Sequence, residues 1–202
     1  MTLIGHGEKV LFMRVFITLL VLIFSIQSWS KADDITEFEI ERMRIGDSLL
    51  DHYSKNIINN KIVYPYNSKK MGVWITPDNI PLEKYDGIQV HLKKNDLNFL
   101  IKGISGHIYF FNDDINKCYP LKKKIVNDVR KLFKNSKEYS GKVKHHLDKS
   151  GKTTVDQNYF QLSSGGSIFI ECYDWSEDMP YGDKLSLSIR SVELSDFVEN
   201  DL

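Results

Sequence analysis

The chain has no excess charge of either sign: 27 lysines and arginines stand against 27 aspartates and glutamates. Without a global field it has no general attraction for nucleic acid or anionic lipid, so no nucleic-acid partner is expected. Cysteine is nearly absent, with two in 202 residues. The two are not spaced Cys-x-x-Cys, which removes a dithiol redox motif. No zinc pattern or phosphate-cradling loop is present. No Gly-x-Ser-x-Gly step marks a nucleophile elbow; Ser163-Ser164-Gly165-Gly166 reads as a turn and Gly103-Ile104-Ser105-Gly106 as a bend. No low-complexity segment or linker divides the chain. These absences leave no expected cofactor, metal site or catalytic residue.

One long apolar run is present. Residues 15–26 (VFITLLVLIFSI) follow Arg14 and precede Ser28, Trp29, Ser30, Lys31 and Ala32. A positive residue, about a dozen apolar residues and a small-x-small step form an export signal. The run falls short of the roughly 20 residues that span a bilayer core. Cleavage after Ala32 places Ser30 and Ala32 at the two small positions; cleavage after Ser30 competes, as does an uncleaved anchor. Met13 is a plausible true start. No cysteine lies near this boundary, which excludes a lipid-modified cysteine. The reading is therefore a signal peptide over 1–32 and one periplasmic domain over 33–202, touching the membrane only through the signal during export. The remainder carries 24 basic and 26 acidic residues, a net charge of −2.

In an oxidising compartment the simplest reading of Cys118 and Cys172 is one disulfide. Residues 114–133 read as a helix with Cys118, Leu121, Ile125, Val129 and Leu132 on one stripe, and with lysines, including Lys122, over the remainder. Residues 167–173 read as a strand with Ile168, Ile170 and Cys172 on one face. Two apolar surfaces that each carry a cysteine should meet. Free buried thiols are the alternative.

Elsewhere, 36–45 alternates like a strand. Ser48-x-x-Asp51 opens a helix whose stripe runs from Leu49 to Ile58. Prolines at 65, 77 and 81 leave 61–84 as loop with a strand near 72–76. Strands are expected at 88–92, 99–104 and 107–111, with Gly103 and Gly106 suggesting a bulge or bend in the last two. Residues 137–151 read as polar loop, 153–162 and 167–173 as a hairpin, 185–189 as a half-buried strand, and 194–198 as a last helical turn. The sum is an α+β domain. An antiparallel sheet carries two main helices on one face, and its halves suggest an α-βββ pseudo-repeat.

Several segments resemble a group of exported proteins of free-living marine alphaproteobacteria to which no function is assigned. They are ADDITEFEIERMRIGDSLLDHYS, YDGIQVHLK, the Gly-x-Ile-x-Phe step before Cys118-Tyr119, DKSGK and IECYDWS. The resemblance implies export and one domain, and no activity. The strand–Ile-Gly-Asp-Ser–helix step looks loosely like small periplasmic assembly-factor domains.

The densest chemistry is the loop 173–183, where Tyr173, Asp174, Trp175, Glu177, Asp178 and Tyr181 combine carboxylates with aromatic rings. That mixture suits a sugar or a cationic ligand. The plainer reading is a hairpin loop whose rings pack over the sheet while its acids stay wet. His145-His146 is the only histidine pair, and a metal there would need His91, His107 or Asp148 as further ligands; a solvated loop is the plainer reading, and His91 is expected to be exposed. The basic helix face could dock an anionic surface but reads more simply as solvated. The leading expectation is a non-enzymatic binding or assembly module whose partner is a periplasmic protein or a small ligand. The alternative is a periplasmic hydrolase working through loop 173–183.

Overall fold

The structure is a computed structural model and describes residues 35–66, 69–110 and 114–201, all within one unit, Asp33–Leu202. The expected signal segment lies outside the described residues. Eight antiparallel strands form one sheet in the order β1-β2-β3-β4-β8-β7-β6-β5. They are β1 (Ile62–Val63), β2 (Met71–Ile75), β3 (Gly87–Lys93), β4 (Ile101–Phe110), β5 (Lys137–Lys144), β6 (Thr154–Gln161), β7 (Ser167–Asp174) and β8 (Asp183–Arg190). Among the described residues three α-helices accompany them: α1 (Lys55–Asn59), α2 (Cys118–Leu132) and α3 (Val192–Asp201). The domain is α+β, as the alternating patterns imply.

The topology is two four-stranded meanders, β1–β4 and β5–β8, joined side by side through β4 and β8. Helical turns precede each meander. Because β4 and β8 run antiparallel, a local two-fold normal to the sheet relates the halves in topology. The repeat unit is thus a helix and four strands, one strand more than expected. The extra strands are β1 and β5. β1 is only two residues long, and β5 has exposed residues on both faces, so neither shows the one-sided alternation that reveals a strand.

Residues directly opposite one another in antiparallel strands point to the same face. The register therefore sorts the sheet into an apolar face and a polar one. Trp74, Val90, Ile104, Ile189, Ile168 and Phe160 run across the apolar face through successive pairs. Helix α2 covers β7 and β8 on this side, held at three points. Cys118 is disulfide-bonded to Cys172 across 54 residues. Lys122 pairs with Asp156 on β6 at 2.7 Å, and Arg130 grips both carboxylate oxygens of Glu138 on β5 at 2.6 and 2.7 Å. The deepest line of α2 is Cys118, Lys122, Val126 and Val129. Leu132 is exposed and Lys122 buried, the reverse of the expectation from the stripe. The reason is Asp156, which points up from the apolar face and gives the ammonium a partner there. The expected second helix covers the first half of the same face, with the Tyr53 ring 4.6 Å from that of Trp74. It is broken into a 3-10 turn, Leu49–Asp51, capped by Ser48 Oγ, and the five-residue α1.

Other local expectations change for physical reasons. Residues 36–45 are not a strand but a 3-10 turn followed by a tight reversal in which Ile40 bridges Met43. Glu41 and Arg42 adopt positive φ there, and Glu41 accepts hydrogen bonds from the backbone N–H groups of Glu83, Lys84 and Tyr85. The expected bulge or bend near Gly103 and Gly106 is a register shift beside Gly103, where Leu92 pairs with Ile101 but His91 with Gly103, and it does not end the strand: β4 continues to Phe110. These glycines also permit close approach. A Cβ on Gly103 would meet Leu194 Cδ2 at 2.3 Å, and one on Gly106 would meet the Tyr85 ring at 2.6 Å. The last helical turn is a full ten-residue helix, α3. Since Gly103 belongs to the polar face, α3 packs opposite α2, with Leu194 and Phe197 closing over Met71 and Tyr66 and with Val198 of the same helix beside them.

Candidate functional site

The polar face reads in rows across β4, β8 and β7. Tyr109, Lys184 and Tyr173 form one row, and His107, Ser186 and Glu171 the next. Ser105, Ser188 and Phe169 follow, then Gly103, Arg190 and Ser167. This face is not the wet one that alternation alone suggests. Ser105, His107, Glu171, Ser186 and Ser188 are all buried. Ser188 Oγ donates to Ser105 Oγ at 2.8 Å, and Tyr173 Oη donates to Glu171 at 2.9 Å. Both ring nitrogens of His107 are buried without a partner among the described residues. Burial first, then Lys184 and His91, pushes its pKa down to about 3, so the ring is neutral at pH 7. His91 lies on this face as expected but is not freely exposed. Tyr66 Oη reaches its Nδ1 at 3.2 Å, and burial aided by Arg190 pushes its pKa down to about 4.

One end of the face is covered by α3. At the other end the β5–β6 loop (145–153) and the β7–β8 loop (175–182) rise around a hollow of about 470 Å³. The strands contribute Gln89, Tyr109, Tyr173 and Lys184 to it, and the loops contribute His145, Trp175 and Tyr181. That volume lies in the usual range for small-molecule sites. The rings pack on one another: Trp175 is 4.5 Å from Tyr181, 4.6 Å from His145 and 5.9 Å from Tyr173. The indole Nε1 is buried without an acceptor among the described residues.

The electrostatics of the hollow come from buried groups. Burial pushes the Lys184 ammonium below its ordinary range, opposed by Glu171. Its Nζ stands 5.1 Å above the Tyr173 ring. Burial raises Glu171, in spite of its hydrogen bond from Tyr173, and burial followed by Glu171 raises the Tyr173 phenol. His145 is lowered by burial and then by His146. The N–H of Leu147 donates to His145 Nδ1 at 3.3 Å, which leaves the proton of the neutral ring on Nε2.

The structure divides the loop singled out by sequence. Tyr173, Trp175 and Tyr181 face the hollow. Asp174, Glu177 and Asp178 line a separate groove with Lys152, and Trp175 forms the wall between the two. Two acids of that groove are engaged: Asp178 pairs with Lys152 at 2.9 Å, and Asp174 accepts from Thr154 at 3.3 Å. Asp183 accepts from the Trp175 N–H at 2.7 Å and so anchors the loop. No three His, Cys, Asp or Glu groups converge to hold a metal among the described residues. Asp148 instead accepts from Ser150 and Thr153, and those bonds hold its carboxyl well below the usual range. Sequence reading missed Lys184, Gln89 and Tyr109 as site residues. The alternation of 185, 187 and 189 puts Lys184 on the polar side, but nothing local reveals that β4 lies beside β8.

No protein-family model, curated protein or solved structure matches this chain.

Proposed function

We propose that this chain is an exported, non-enzymatic binding module that takes a small ring-shaped ligand into the hollow between Trp175, Tyr181 and Lys184. The observation that supports it is a difference between the two ends of the polar face. At one end the protein fills the space over the sheet with its own Leu194 and Phe197. At the other, an aromatic-lined space of comparable position in the repeat stays open. Ring faces and a few convergent polar groups are the usual furniture of a small-molecule site. The hydrolase reading draws less support. Its three loop carboxylates lie in the other groove, and the nearby Glu171 is occupied by Tyr173.

The test is titration of the oxidised protein with single-ring sugars and aromatic acids, read by tryptophan fluorescence. A saturable change that Trp175→Phe removes supports the site; no saturation across the panel refutes it. Export is tested by N-terminal sequencing after expression in an export-competent bacterial host. A mature start at Asp33 is expected, and a start before Lys31 would sink the cleavage claim.

A further inference from the structure

Resting on that reading, we propose that the ligand is an anion: a six-membered ring bearing one carboxylate, which seats on Lys184 Nζ while the ring lies against Trp175 and Tyr181. The charge of the hollow carries the inference. Among the described residues Lys184 is the only formally charged side chain lining it. Among the described residues its ammonium makes no ion pair, and it rests on the Tyr173 ring face instead. Glu171 does not neutralise it directly, because that carboxyl takes the Tyr173 hydroxyl and sits one row deeper. Asp174, Glu177 and Asp178 line the neighbouring groove, where Lys152 pairs with Asp178. Loop composition alone suggested a sugar or a cationic ligand, but the folded loop places Asp174, Glu177 and Asp178 in the neighbouring groove rather than in the hollow. A partly desolvated ammonium without a carboxylate is costly, and an anionic ligand removes that cost.

The number and kind of donors narrow the class. One lysine presents a single compact charge. Among the described residues no arginine, helix N-terminus or second cation lines the hollow to take a dianionic phosphate. Gln89, the hydroxyls of Tyr109 and Tyr181, and His145 can hydrogen-bond ring hydroxyls. The shared chemistry is therefore a ring monocarboxylate, whether a uronic sugar or a hydroxylated aromatic acid.

The experiment uses matched pairs on the oxidised protein, by calorimetry and tryptophan fluorescence: glucuronate with glucose, and 4-hydroxybenzoate with 4-hydroxybenzyl alcohol. The carboxylate of at least one pair should bind about tenfold or more tighter than its neutral partner. Lys184→Met should erase that difference and Lys184→Arg should retain most of it. The pair that shows the difference identifies sugar or aromatic acid. Equal binding within both pairs overturns the anion inference and leaves the hollow standing as a ring site. No saturable binding by any of the four overturns both. The comparison in the unaltered protein decides the matter even if the Lys184 variants fail to fold.

Discussion

His107 should make the protein lose stability in mild acid, by an amount the structure sets. The residue is 4% exposed, and its ring has no hydrogen-bond partner among the described residues and has its pKa pushed from 6.5 down to about 3. Because the folded value lies below the unfolded one, the unfolded chain takes up the proton first as pH falls. Stability from this group is intact above pH 6.5 and drains away between 6.5 and about 3. Between pH 7.5 and 5 the loss amounts to about 2 kcal/mol, since each unit of difference is worth about 1.4 kcal/mol. Most carboxylates stay ionised throughout that window, so few other groups interfere. Glu171, raised by burial, works in the opposite direction. The measurement is urea unfolding at both pH values for the native protein and for His107→Gln, which cannot titrate. Subtracting the two pH effects cancels His91, Glu171 and every other group left in place. A residual of about 2 kcal/mol is expected; a residual under about 0.5 kcal/mol would show that His107 is already solvated or partnered, and would refute the buried polar face.

Other perturbations test the frame around the site. Replacing Cys118 and Cys172 together by alanine opens a closure of 54 residues and should cost about 4 kcal/mol if loop entropy dominates; mass spectrometry of unreduced protein should find no free thiol. Gly103→Ala drives a methyl into Leu194 and should cost about 1–3 kcal/mol by overpacking. Gly141→Ala, with nothing within 4 Å of the added carbon and no left-handed backbone, should not destabilise and should raise stability by about 0.4–1 kcal/mol through the unfolded chain. Lys122→Met removes the partner of Asp156 beneath α2. Because Asp156 keeps about a third of its exposure, the loss should be about 1–2 kcal/mol rather than the larger penalty of a fully buried orphan charge.

What could be read from the sequence follows from how far each signal reaches along the chain. The disulfide was legible because two local periodicities, one helical and one of period two, each placed a cysteine on an apolar surface. The long strand β3 and the hairpin β6–β7 were legible for the same reason. β5 was not: an edge strand with both faces wet has no pattern to read. Nor was the role of Gly103 and Gly106, which is fixed by Leu194 and Tyr85 arriving from distant parts of the chain. The site suffered most from this. The rings Tyr173, Trp175 and Tyr181 were visible as a cluster, yet which neighbours they keep depends on β4 lying beside β8, a pairing of residues about eighty positions apart that no local window contains.

The local two-fold also explains where a site can form. Loops β1–β2 and β3–β4 rise at one end of the polar face, and their counterparts β5–β6 and β7–β8 rise at the other. A symmetric protein would offer two equivalent hollows. Helix α3 has no counterpart after β4, because the chain there turns into α2 and crosses to the opposite face. It therefore fills the first hollow: Phe197 meets Tyr66 edge-on at 5.0 Å, and Leu194 occupies the space that Gly103 leaves. On β8, Lys184 stands toward the other end of the same face, where no helix among the described residues lines the hollow. The asymmetry is built from the residues themselves, a glycine under a leucine at one end and a lysine under open rings at the other. Filling one hollow with the chain's own side chains stabilises the sheet. Leaving the other open exposes aromatic surface and a partly desolvated charge, a cost that a ligand there would offset.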